Sequence, residues 1–70
     1  MRKKNISPLT GRETQILYQL VDGDTRREIA LQWGVSVNTI QNHIRMTHAR
    51  LNCNTTLEAI AIAVRSGWVK

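Results

Sequence analysis

Asn38, Gln41, Asn42 and Arg45 are the residues of this 70-residue chain whose types and spacing point to chemistry. Val37, Ile40, Ile44, Thr47 and Leu51 recur at helical spacing as one apolar stripe. At about 100° per residue the four polar residues fall away from that stripe. Asn and Gln can pair in two places with the edge of adenine, and Arg can do the same with guanine. Ser36 stands just before the run as a helix cap. A capped helix with one apolar face and one such polar face has the chemistry to read base edges in a groove.

The charge balance agrees. The chain carries a net charge of +5. Arg2, Lys3 and Lys4 form a basic tail, and Arg26, Arg27, Arg45 and Arg50 lie in the stretch from Thr25 to Leu51, where Glu28 is the only acid. The other carboxylates, Glu13, Asp22, Asp24 and Glu58, lie elsewhere. A basic domain of this kind fits an anionic partner, nucleic acid in preference to an acidic membrane.

Other function classes find no support. The single cysteine, Cys53, precludes an internal disulfide, and His43, His48 and Cys53 lack the paired spacing of a zinc site. We expect no metal and no cofactor. There is no glycine-rich phosphate loop, no acidic pair on one helix face and no nucleophile with an orienting base. Ser36 and His43 are two turns apart with no third member, so we expect no enzyme and no small-molecule ligand. Ala59 to Val64, the longest near-apolar run, is too short to span a bilayer, and the amino terminus has no apolar signal segment. The default compartment is the cytoplasm, with no membrane partner. Trp33 and Trp68 read as core, His48 as surface and Cys53 as a small turn residue.

Helix punctuation repeats along the chain. Thr10-x-x-Glu13 is a capping box that opens the pattern Ile16, Leu17, Leu20, Val21, closed by Gly23. Thr25-x-x-Glu28 opens a short helix carrying Ile29, Ala30 and Trp33, closed by Gly34. Ser36 caps the third helix, which runs to about Leu51 with Asn52 as terminator, and Thr55-x-x-Glu58 opens a fourth that Gly67 ends. The fold class is therefore all-α, a compact four-helix bundle in one domain. Only Gly34 and Val35 separate Trp33 from the Ser36 cap, a turn short enough for a central helix-turn-helix with Val35 tucked into the core. Ile40 and Ile44 should pack on Ile16, Leu20 and Ile29. The helix starts also attract anions, which makes Thr25, Arg26 and Arg27 candidates for phosphate contact, together with Ser36, Asn38 and Thr39. Capping alone also explains Thr25 and Ser36.

In the fourth helix Ile60, Ala63 and Val64 form one face, extended by Leu57 and Trp68. Ala61 and Ile62 lie opposite, between Glu58 and Arg65, on a side that a surface helix normally keeps polar.

From Leu9 to Val69 the chain resembles the DNA-binding domain of the LuxR family of bacterial transcription regulators, the GerE-like helix-turn-helix. The resemblance rests on Leu9-Thr10-x-Arg12-Glu13, Gly23, Arg27-Glu28-Ile29-Ala30, Val35-Ser36-x-x-Thr39-Ile40-x-x-His43-Ile44, Arg50-Leu51, Ala59 and Ser66-Gly67. Gly11 stands where the family often has Pro, Gln41 where many members carry Lys or Arg, and Asn52-Cys53 replaces a commoner Gly-Val. Residues 1–8 then read as a basic tail or linker remnant and residues 9–70 as the domain.

The resemblance implies that the third helix enters the major groove of double-stranded DNA, with Gln41, Asn42 and Arg45 facing the bases. It places His43 at a position usually held by histidine, on a flank shared with Thr39, Met46 and Arg50. There His43 and Arg50 are candidates for phosphate contact, and pinning the neighbouring helix is an equal reading for His43. It implies a homodimer on DNA through the fourth helix, with Ala61, Ile62 and Arg65 at the two-fold contact, and RNA polymerase as a further partner. Members usually carry this domain at the carboxyl end, which implies a receiver or ligand-binding domain before it. Stand-alone members exist, so both readings stay open. The alternative functions are a protein-interaction adaptor and a sigma-factor-like promoter-binding module built on the same bundle.

Overall fold

A computed structural model describes residues 7–69. Arg2, Lys3 and Lys4 of the basic tail lie outside the described residues. Among those described, the chain forms α1 (Gly11–Val21), α2 (Arg26–Trp33), α3 (Val37–Leu51) and α4 (Thr56–Arg65), with no strand.

Each helix starts where its cap predicts. Thr10, Thr25 and Thr55 each accept from the backbone N–H three residues on, and Glu13, Glu28 and Glu58 return the bond, completing three capping boxes. Ser36 accepts from the Thr39 N–H at 3.2 Å. Each box satisfies two amides that a helix start leaves without partners. Gly34 ends α2 with φ 70°, where any other residue except Asn or Asp would be strained, and this residue sets the short turn into α3. Asn52 ends α3 in the same left-handed conformation, with φ 53°.

The core has two parts. Ile16, Ile29, Ala30, Ile40 and Ile44 pack together, with Leu20, Trp33 and Val35 half-buried against them. This is the expected packing of α3 on α1 and α2. Leu17, Ala59, Ala63 and Val69 form the second part, joined by half-buried Leu9, Leu51, Ile60 and Trp68.

Several expectations fail at the edges. Val37 and Val21 are exposed, because one opens its helix and the other closes it, where the core no longer reaches. In α4 the expected face holds in part: Ala63 is buried and Ile60 and Trp68 pack on the core, but Ala59 is the other fully buried residue, and Leu57 and Val64 are left outside. Leu57 is 76% exposed and Val64 45%, whereas Ile62, expected outside, is half-buried. Two alanines let the α4 backbone approach its neighbours more closely than larger side chains would. His48, expected on the surface, is half-buried, and its Nε2 makes a 3.2 Å hydrogen bond with Thr56 Oγ1. Thr47, part of the apolar stripe, is buried by donating its hydroxyl to the His43 carbonyl at 2.9 Å.

Candidate nucleic-acid interface

With Ile40, Ile44 and Thr47 buried, α3 turns Asn38, Gln41, Asn42 and Arg45 outward, and all four are exposed. Arg45 Nη1 donates to Asn42 Oδ1 at 3.1 Å. That bond uses one of five guanidinium donors and steadies the side chain, leaving the others free for an acceptor pair. The three expected base readers therefore share one outward ridge.

The expected phosphate contacts divide into free and committed groups. Arg27 is exposed at the start of α2, with no hydrogen-bond or ion-pair partner among the described residues. Arg26 beside it is half-buried, and its Nη2 donates to Thr56 Oγ1 at 3.1 Å. Thr25 is engaged in the cap, with its N–H donating to Glu28 at 2.7 Å and its hydroxyl accepting from the Glu28 amide at 3.1 Å. Ser36 and Thr39 share a hydroxyl hydrogen bond at 3.1 Å at the start of α3. His43 is half-buried, and its ring meets the Trp33 ring edge-on, with centroids 6.3 Å apart. The pinning role expected for His43 as one of two readings therefore has a contact behind it.

Arg50 differs most from expectation. Its Nε lies 3.0 and 3.1 Å from the two carboxylate oxygens of Glu13, which is only 2% exposed. Oε1 of the same carboxylate also accepts from the Thr10 N–H at 3.0 Å. Arg50 thus neutralises a buried cap, and only the outer end of its guanidinium remains for another anion. Cys53 is a free thiol in the turn before α4. Burial, and then the Glu58 carboxylate, push this thiol above its ordinary range against a backbone hydrogen bond with Thr55, which disfavours the reactive thiolate.

The ridge is flanked by two hollows. One lies toward the first turn of α1 and is lined in part by Arg12, His43 and Arg50. The other lies toward the starts of α2 and α4, with Arg26, His48 and Thr56 in its walls. Arg45 borders both.

The sequence and the fold of this chain are similar to those of known proteins. The family model for GerE, bacterial regulatory proteins of the luxR family, matches residues 7–63. The chain belongs to the LuxR family of bacterial regulatory proteins. It is similar to the transcriptional regulatory protein DesR of Bacillus subtilis (strain 168), 34% identical over 64 residues that cover 91% of this chain and 32% of DesR. It is also similar to the transcriptional regulatory protein DegU of Brevibacillus brevis, 31% identical over 68 residues that cover 97% of this chain and 29% of DegU. The solved structure of the transcription factor GerE superimposes with a TM-score of 0.86 at 34% identity, covering 93% of this chain and 97% of that one. This chain thus spans about a third of the length of the DesR and DegU proteins.

Within this LuxR-family domain, three features escaped the sequence reading. Glu13 was legible as a cap but not as the partner of Arg50, which is 37 residues away. Gln19 is buried and joins α1 to α2: it accepts from Trp33 Nε1 at 3.1 Å and donates to Asp24 at 3.0 Å and to Gln32. Thr56, which ties Arg26 to His48, gave no signal beyond its place after a cap.

Proposed function

We propose that this domain binds duplex DNA, with α3 in the major groove, as the effector part of a transcription regulator. The observation that carries the reading is the outward ridge of Asn38, Gln41, Asn42 and Arg45 on a helix whose other side is locked into the core. Gln41, Asn42 and Arg45 are assigned to base edges, with Arg45 on guanine. Arg27 is the main phosphate anchor. Thr25, Arg26, Ser36, Asn38, Thr39, His43 and Arg50 line the approach to the backbone, several of them holding the surface in shape as well. Reading of this kind is binding, with no chemical step, and would take place in the cytoplasm.

Two copies would meet through α4 on a two-fold site. Leu57, Ala61 and Val64 lie at positions i, i+4 and i+7, one exposed-to-intermediate stripe beside exposed Arg65. This stripe adjoins the contact expected at Ala61, Ile62 and Arg65 and shares Ala61 with it; Ala61 and Ile62 are both half-buried, and Arg65 is exposed.

The test is a fluorescence titration of labelled random duplex across salt concentrations. Binding should be measurable at low salt and fall with a log–log slope of about 0.9 per phosphate neutralised. No binding at low salt would favour the adaptor reading.

A further inference from the structure

We infer that α1 also belongs to the DNA-binding surface, with Arg12 holding a backbone phosphate in the hollow between α1 and α3. This rests on the DNA-binding reading above. A helix with its side chains is about 10–12 Å across and the major groove is about 12 Å wide. A helix in the groove therefore has a sugar-phosphate backbone running along each flank. The hollow on the α1 flank measures about 590 Å³ and is open to solvent. Asn42 and Arg45 border it from the ridge, so it opens on the side that faces the bases.

Three guanidiniums line this hollow, those of Arg12, Arg45 and Arg50, against the single carboxylate of Glu13. Arg50 is paired with that carboxylate, and Arg45 is assigned to a base. Arg12 is exposed and has no carboxylate partner among the described residues. Its Cζ lies 5.5 Å from the centroid of the Trp33 ring. Trp33 is itself fixed, by its hydrogen bond to Gln19 and its edge contact with His43. A cation held over an aromatic face is positioned without spending an N–H donor. Arg12 is thus a preorganised cation with its donors unspent, on the flank where one DNA strand must pass. No local pattern in the sequence could show this, because α1 and the ridge of α3 meet only in the fold.

The experiment compares the wild-type domain with Arg12→Gln, Arg12→Lys and Arg27→Ala in salt titrations on random and on selected duplexes. Arg12→Gln should weaken binding to every duplex by the same factor and flatten the salt slope by about 1 per bound domain. Arg12→Lys keeps the charge and should keep the slope. A wild-type slope in Arg12→Gln, with Arg27→Ala flattened as expected, overturns the Arg12 contact alone. A loss in Arg12→Gln confined to one sequence overturns it as well, because a phosphate contact carries no sequence information. Absence of salt-dependent binding by the wild-type domain overturns the DNA-binding reading itself. Thermal melting of Arg12→Lys and Arg12→Gln separates loss of contact from loss of fold, since a purely structural role would lower the melting temperature and leave the slope unchanged.

Discussion

Helices α3 and α4 meet the same core with opposite chemistry left outside. α3 buries Ile40 and Ile44 and turns amides and a guanidinium to solvent. α4 buries its small residues, Ala59 and Ala63, and turns Leu57 and Val64 outward. A polar outer face is stable in water and suited to a polar ligand such as base edges. An apolar outer face is suited to another protein surface, which in the reading proposed above is a second copy of the domain. One domain thus presents two chemically different outer faces, set by which residues each helix buries in the core.

The largest expected effect lies on the inner face of α3. Ile44→Ala should cost about 2–5 kcal/mol, enough to unfold much of a domain this small, whereas Val37→Ala on the same apolar stripe should stay within about 0.5 kcal/mol. Chemical denaturation of both variants checks this, and equal losses would mean that the stripe is buried to its first residue. Arg50→Ala comes next, because it leaves the buried Glu13 carboxylate with only the Thr10 N–H as partner. A stability loss of about 1–3 kcal/mol is expected, together with weaker DNA binding. Loss of binding at unchanged stability would make Arg50 a phosphate contact without a structural role.

Helix α4 offers a matched pair. Ala63→Leu should cost about 1–3 kcal/mol by overpacking, whereas Leu57→Glu should leave stability within about 0.5 kcal/mol. Leu57→Glu should nevertheless reduce cooperative binding to a duplex with two half-sites and spare binding to one. If Ala63→Leu melts like wild type, α4 is packed by its other face. The smallest effect concerns the α4 cap. The Asn54 amide, then the Thr55 amide, hold the Glu58 carboxyl below its ordinary range. Its contribution is complete above the ordinary carboxylate pKa of about 4.3 and is lost as pH falls through the lower folded value. The difference in melting temperature between wild type and Glu58→Gln should therefore shrink on acidification, and a gap that widens would reverse the sign.

The same pair of helices shows what sequence could and could not tell. Caps are local, so Thr10, Thr25, Ser36 and Thr55 marked every helix start. The α3 faces were legible because polar and apolar residues separate cleanly around its axis. In α4 the run Ala59-Ile60-Ala61-Ile62-Ala63-Val64 is apolar all round. Periodicity cannot select a face there. Packing selected it, by placing the smallest side chains where the backbone comes closest. Long-range polar pairs were silent for a related reason: Glu13 with Arg50, Gln19 with Trp33 and Arg12 with Trp33 each join elements whose proximity only the fold creates.

If the outer ridge of α3 reads bases, Arg45→Ala should lose sequence preference before it loses general affinity. The measurement is the affinity of wild type and variant for a duplex selected from a random library and for a scrambled duplex of equal length, at one salt concentration. Loss of a bidentate guanine contact should cost about 1–3 kcal/mol on the selected duplex and relax preference at one position of each half-site, with a much smaller change on the scrambled one. Equal losses on both duplexes would make Arg45 a phosphate anchor, and the ridge of α3 would then not be the reader of bases.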